Sequence, residues 1–120
     1  MSENVIKVKS FSFALRIVKL YQFLSSEKRE FVLSKQLLRS GTAIGALVRE
    51  AEQAESKPDF IHKLSIAQKE ANETDYWLEL LFQSDYLTEV QFKSLNFDIL
   101  EINKILASII ITSKQNNIKK

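Results

Sequence analysis

The sequence predicts an all-α fold, an antiparallel up-down-up-down four-helix bundle with left-handed packing. Three observations carry this. Glycine occurs twice and proline once in 120 residues, too few turn formers for a sandwich or a loop-rich domain. Apolar residues recur at alternating spacings of four and three along almost the whole chain, the period of left-handed helix packing at about 20°. Only three short polar segments interrupt them. A chain that is 45% hydrophobic and 27% charged buries one core and keeps a charged surface, so residues 1–120 read as a single domain.

The first helix is expected over about 9–25. It carries two adjacent stripes, Phe13, Ile17, Leu20, Leu24 and Ala14, Val18, Tyr21. One stripe suffices for a bundle core; two suggest burial on two sides. After the break at Ser25–Lys28, a second helix is expected over about 27–55 with Ser26 as its N-cap. Its stripe is Leu37, Gly41, Ile44, Val48, Ala51. Both glycines, Gly41 and Gly45, fall here. Each costs about 1 kcal/mol relative to Ala inside a helix, which points to a crossing too close for a Cβ. A break at Ser40–Gly41 is the alternative, but the stripe keeps its phase through both.

Ser56-Lys57-Pro58-Asp59 is the clearest boundary. Proline suits a first helical turn, and Asp59 complements the positive end of the helix dipole. The third helix, about 58–83, carries Phe60, Leu64, Ala67, Ala71, Thr74, Leu78, Leu81, with small residues that admit a close neighbour. Thr88-Glu89-Val90-Gln91 reads as a capping box opening a fourth helix over about 88–113. Its stripe is Phe92, Leu95, Ile99, Ile102, Leu106, Ile109, and a basic tail follows at 114–120 that is expected to fray.

Composition excludes several classes. There is no Cys, hence no disulfide, thiolate metal site or Cys nucleophile, which fits a reducing, cytoplasmic setting. The N-terminus has no apolar signal region. Runs such as Ile109-Ile110-Ile111 fall far short of the roughly 18 apolar residues that a membrane span requires. A single histidine, His62, leaves no Ser-His-Asp set, and Gly41-Thr42-Ala43-Ile44-Gly45 lacks the length and the Lys-Ser/Thr of a phosphate loop. No catalytic residue, cofactor or metal is expected.

Two charge patterns remain. A second stripe of the third helix, Ile66, Glu70, Glu73, Trp77, Leu80, places two carboxylates in an apolar line. The di-iron pattern needs Glu-x-x-His on two helices, and no Glu precedes His62 by three. The expected role is instead an ionic layer in which Arg39 and Arg49 of the second helix meet Glu70 and Glu73. The net charge of +2 also hides a division. Residues 1–49 hold nine Lys/Arg against three Glu, residues 50–101 four Lys against twelve acids, and residues 102–120 four Lys and no acid. Either neighbouring helices neutralise one another, or a basic face meets a polyanion. For the second case the candidate nucleic-acid contacts are Lys7, Lys9, Arg16, Lys19, Lys28, Arg29 and Lys35.

The segment Gln36–Leu81 resembles the four-helix-bundle family first associated with intervening sequences in bacterial 23S ribosomal RNA genes. The matching features are Leu37-Leu38-Arg39-Ser40 with Gly41 and Ile44, Arg49-Glu50-Ala51, Asp59-Phe60, Lys63-Leu64, Lys69-Glu70-Ala71, and Glu73-Thr74 with Tyr76-Trp77-Leu78. Phe11–Leu24 fits too, so the resemblance spans essentially the whole chain. Ala46-Leu47 departs from it, because members often carry Ala-Asn there. The resemblance implies a ring-like homopentamer without enzymatic activity. Similar bundles are accessory proteins to reverse transcriptases of diversity-generating elements, where a basic surface contacts nucleic acid. Two functions follow as expectations: a homo-oligomer associated with RNA, or an oligomeric scaffold that recruits a protein partner and touches no nucleic acid.

Overall fold

A computed structural model describes the backbone of residues 2–119 and the side chains of residues 5–116. Four helices follow in order: α1 (Ser2–Ser26), α2 (Leu33–Glu52), α3 (Lys57–Gln83) and α4 (Glu89–Lys119). Each packs on its sequence neighbours, and α4 returns to α1 to close the bundle. The short connections make successive helices antiparallel, which is the up-down-up-down arrangement. Among the described residues, no helix is long and apolar enough to cross a membrane.

The core is the set of heptad stripes. Phe13, Ile17, Leu24, Leu37, Ile44, Leu64, Leu78, Leu81, Ile99, Ile102 and Leu106 are fully buried. Ile6 joins them because α1 begins about two turns before the expected start. At the far pole, the Phe82 and Phe92 rings stack with centroids 4.6 Å apart. Ala67, Ala71 and Thr74 are buried along the α2–α3 seam, where the hydroxyls of Ser40 and Thr74 share a hydrogen bond at 2.9 Å. Gly41 and Gly45 both face α1, opposite Ile17 and Ser10.

The helix ends show where local chemistry decided. Ser26 does not cap α2. It is the last residue of α1, and its hydroxyl donates back to the Gln22 carbonyl at 2.7 Å. Arg29 then takes a left-handed φ of 56°, and the Glu30 N–H returns to the Leu24 carbonyl at 2.9 Å. The Glu30 carboxylate supplies the missing cap. It accepts from the backbone N–H groups of Val32 (3.2 Å), Leu33 (3.0 Å) and Ser34 (2.7 Å). For this reason α2 starts at Leu33 and not near residue 27. It stops at Glu52, three residues before the expected end.

The other ends follow local rules. The Ser56 hydroxyl accepts from the Asp59 N–H at 3.1 Å, with Pro58 in the first turn of α3. At the C-terminus of α3, Asp85 adopts φ 70°, and the Tyr86 N–H reaches the Leu81 carbonyl while the Asp85 N–H reaches that of Phe82. This is a Schellman closure with Asp in the place usually taken by Gly. The Thr88–Gln91 capping box is reciprocal: Gln91 N–H donates to Thr88 Oγ1 at 3.1 Å, and Thr88 N–H to Gln91 Oε1 at 2.9 Å. Helix α4 continues to Lys119, through most of the segment expected to fray; Lys120 lies outside the described residues.

Candidate functional site

Arg39 projects from α2 across the seam to α3. Its guanidinium donates to Glu70 at 3.2 Å and to Glu73 at closer range. The indole N–H of Trp77, one turn after Glu73, donates to the same Glu73 oxygen at 2.9 Å. Trp77 Nε1 and then Arg39 hold the Glu73 carboxyl below its ordinary value, and the Glu73 bond is the main cause raising Arg39. The Arg39 side chain is 50% exposed, so this cluster lies on the rim of the bundle and not inside it. Arg49 does not join it. Its guanidinium lies over the Phe11 ring of α1, 5.0 Å from the centroid. Nearly three turns separate Arg39 from Arg49 along a helix of 1.5 Å rise, about 15 Å, which Glu70 and Glu73 cannot bridge from one turn of α3. The neighbouring Glu50 pairs instead with Lys63 at 3.1 Å.

The seven basic candidates separate into two groups. Lys7 pairs with Glu52 of α2 at 3.2 Å. Lys9 pairs with Glu101 of α4 at 3.2 Å, and Arg16 with Asp98 at 2.5 Å and with the Ser94 hydroxyl at 2.8 Å. These three are neutralised by acids of α2 and α4. Lys19, Lys28, Arg29 and Lys35 are exposed and enter no ion pair among the described residues. They belong to the last turns of α1, the α1–α2 turn and the first turn of α2. Lys28 lies over the Phe23 ring at 5.9 Å and Arg29 over the Phe31 ring at 5.6 Å. His62 is exposed near the start of α3. No group of three or more metal-ligating side chains forms among the described residues.

Sequence reasoning missed two features. The first is Glu30, which falls inside the span expected for the second helix. It is 8% exposed. Burial would raise its carboxyl, but the N–H donors of Leu33, Ser34 and Val32 and the Ser34 hydroxyl outweigh this and lower it. The second is an apolar outer surface. Val8, Phe11 and Leu15 of α1 and Phe97, Leu100 and Ile111 of α4 are 47–68% exposed. Their signal was available in the helical period: positions 8, 11 and 15 of α1 and 97, 100 and 111 of α4 recur on one side of each helix outside its core stripe, where a solvated helix carries charge. The expected second stripe, Ala14, Val18 and Tyr21, is half-buried. A shallow cleft of about 230 Å³ lies between the two helices, lined by Val8, Lys9, Phe13, Asp98, Glu101 and Ile102 among others.

Comparisons with known proteins agree with this geometry. No curated protein matches the chain. A crystal structure of a protein with unknown function from the S23 ribosomal protein family, from Bacteroides thetaiotaomicron VPI-5482, is similar to it with a TM-score of 0.91. The two are 64% identical, and the match covers 92% of this chain and 98% of that one. The model of the family described as 23S rRNA-intervening sequence protein matches residues 2–108. By its helices, its seams and this match over nearly its whole length, the chain belongs to the 23S rRNA-intervening sequence protein family.

Proposed function

We propose that this protein is a non-enzymatic, self-assembling bundle that associates with RNA phosphates through the basic end formed by α1, its turn and α2. The observation that carries self-assembly is the apolar outer surface of α1 and α4, six large side chains placed where a monomer would carry charge. Two such faces on neighbouring helices suit a closed ring in which one face of each copy meets the other face of the next. A ring of five is the assembly that the family resemblance implies. The RNA reading is supported by Lys19, Lys28, Arg29 and Lys35, which no acid neutralises among the described residues, and by the family's association with ribosomal RNA intervening sequences. Ring symmetry repeats this charge once per copy.

Light scattering during gel filtration tests assembly: a ring of five copies of 13.9 kDa has a mass of about 70 kDa, and a 13.9 kDa species at every concentration would refute it. RNA binding across a salt series tests the rest. Phosphate contacts release counterions, so the log–log slope falls by about 0.7 per contact on a single strand. Lys28→Glu/Arg29→Glu is expected to abolish binding. One observation favours the scaffold reading, in which the oligomer binds only protein: Lys7, Lys9 and Arg16 are already engaged across helix seams. Binding that is absent at low salt selects that reading.

A further inference from the structure

The α1–α2 turn is held rigidly although it faces solvent. Its left-handed residue, Arg29, is fixed from one side by the Glu30 N–H bond to Leu24. From the other side the Glu30 carboxylate grips three successive backbone N–H groups. The two residues that follow, Phe31 and Val32, are 45% and 71% exposed. Turn positions ordinarily take small polar residues that satisfy their own backbone. Here the backbone is satisfied by Glu30, and the exposed positions are given to a ring and a branched aliphatic side chain.

One cation lies over that ring, and two more are exposed nearby in the chain. The Arg29 guanidinium lies 5.6 Å from its centroid, Lys28 precedes Arg29 and lies over the Phe23 ring, and Lys35 is exposed in the first turn of α2. Nearby, Glu27 is the one exposed acid of the turn, because the charge of Glu30 is consumed by backbone donors. The same capping removes a competing explanation. The N-terminus of α2 cannot serve as an anion site, since Glu30 already occupies its N–H groups. An anion arriving here meets side chains only.

A ligand complementary to this turn has a flat apolar face for the ring and negative charge beside it for the cations. The acidic groups of a peptide satisfy the cations but give the ring no flat face, which a peptide supplies only where it also carries an aromatic residue. A duplex offers phosphates, but its base faces are already stacked on one another. A single strand offers both, with stacking on an aromatic side chain and phosphates on flanking cations. We infer that the α1–α2 turn is a single-strand site, in which Phe31 stacks on one unpaired base while Lys28, Arg29 and Lys35 hold the adjoining phosphates. The inference rests on the RNA reading above and adds to it the strandedness of the target and the residue that selects it.

The test uses the full chain and fluorescence anisotropy with labelled oligo(U) and oligo(A) 12-mers, a duplex RNA of the same length, and an abasic ribose-phosphate 12-mer. The 12-mers are expected to bind at least about 5-fold more tightly than the abasic strand or the duplex, and Phe31→Ala to remove about 5- to 100-fold of affinity for them. Phe31→Leu keeps the apolar bulk, so it keeps the fold, and is expected to lose the same preference. Neither variant should change the salt slope, whereas Arg29→Gln should reduce it by about 0.7. Equal binding of base-bearing and abasic strands, or unchanged affinity in both Phe31 variants, overturns the single-strand site and leaves RNA association standing. Failure of the wild type to bind any of the four probes at low salt overturns both.

Discussion

Gly41 of α2 faces Ile17 of α1 so closely that a Cβ built on the glycine would lie 2.9 Å from Ile17 Cγ1 and 3.0 Å from Cγ2. Ile17 is fully buried, and a β-branched side chain in a helix has essentially one rotamer to occupy, so it cannot swing aside. Gly41→Ala gains about 1 kcal/mol of helix propensity and loses about 1–3 kcal/mol to overpacking. A net destabilisation of about 1 kcal/mol is expected in urea unfolding followed by circular dichroism. Gly45 is the control. Its added Cβ would approach the Ser10 carbonyl no closer than 3.4 Å, an ordinary contact, so Gly45→Ala should keep the propensity gain and unfold at a higher urea concentration than wild type. The reverse order of midpoints would contradict the close crossing.

The Arg39 cluster is expected to matter little for stability and to be visible by fluorescence. With Arg39 half-exposed, Arg39→Ala should cost under about 1 kcal/mol. Trp77 is the only tryptophan and donates to Glu73, so its emission reports the protonation of that carboxylate. Glu73 is lowered by Trp77 and Arg39. Its transition therefore lies below the ordinary Glu value of about 4.3, and removing Arg39 should move the midpoint upward. A midpoint indifferent to Arg39→Ala would show that the guanidinium does not hold Glu73 in solution.

Glu30 should behave as the cap of α2. Glu30→Ala leaves three backbone N–H groups without their acceptor and is expected to cost about 1–3 kcal/mol. The pH dependence follows from the lowered carboxyl. Its contribution is complete above the ordinary Glu value and is lost as pH falls through the lower folded value. Glu30→Gln, which has no charge to lose, should flatten the stability profile between about pH 5 and pH 3 relative to wild type. A profile as steep as that of wild type would place the acid sensitivity elsewhere.

Leu15→Glu and Phe97→Glu address assembly. Both side chains are about half-exposed or more, and surface substitutions away from caps and cores change stability by about 0.5 kcal/mol or less. Helicity should persist while the mass measured by light scattering falls. Lys114→Glu, on an exposed position of α4, should leave the mass unchanged. An unchanged mass in both apolar variants would remove these faces from the interface.

How much was legible in the sequence divides along physical lines. The four stripes were readable because burial imposes the heptad period on every core helix. Pro58 and the Thr88–Gln91 box were readable because their chemistry lies within four residues. Gly41 and Gly45 were both assigned to a crossing too close for a Cβ because two helix-weakening residues in phase call for a partner; this holds at Gly41, whereas at Gly45 a Cβ meets only an ordinary contact with Ser10. The α1–α2 turn was misread because its cap is a glutamate that reaches forward two to four residues, whereas the Ser-rich segment beside it imitates a conventional N-cap. Arg49 was grouped with Arg39 because both lie on α2 and can face α3 or the rim; only the three-dimensional register shows Arg49 turned towards Phe11 of α1. The division of the basic residues depends on which acids of α2 and α4 stand opposite, which no linear pattern specifies.

The bundle closes unequally. Three seams join helices that are neighbours in the chain, while the fourth, between α1 and α4, brings the fewest residues together and is spanned by the Arg16–Asp98 and Lys9–Glu101 pairs beside a cleft. Exposed ion pairs lose strength in salt, so this seam is a latch whose grip depends on ionic strength. Sub-global opening starts where local stability is least. Amide hydrogens of α4 should therefore exchange with deuterium before those of α2 and α3, and sooner in high salt. A copy whose α4 has swung out would also offer its vacated groove to the α4 of a neighbour, a helix-exchange route between assemblies.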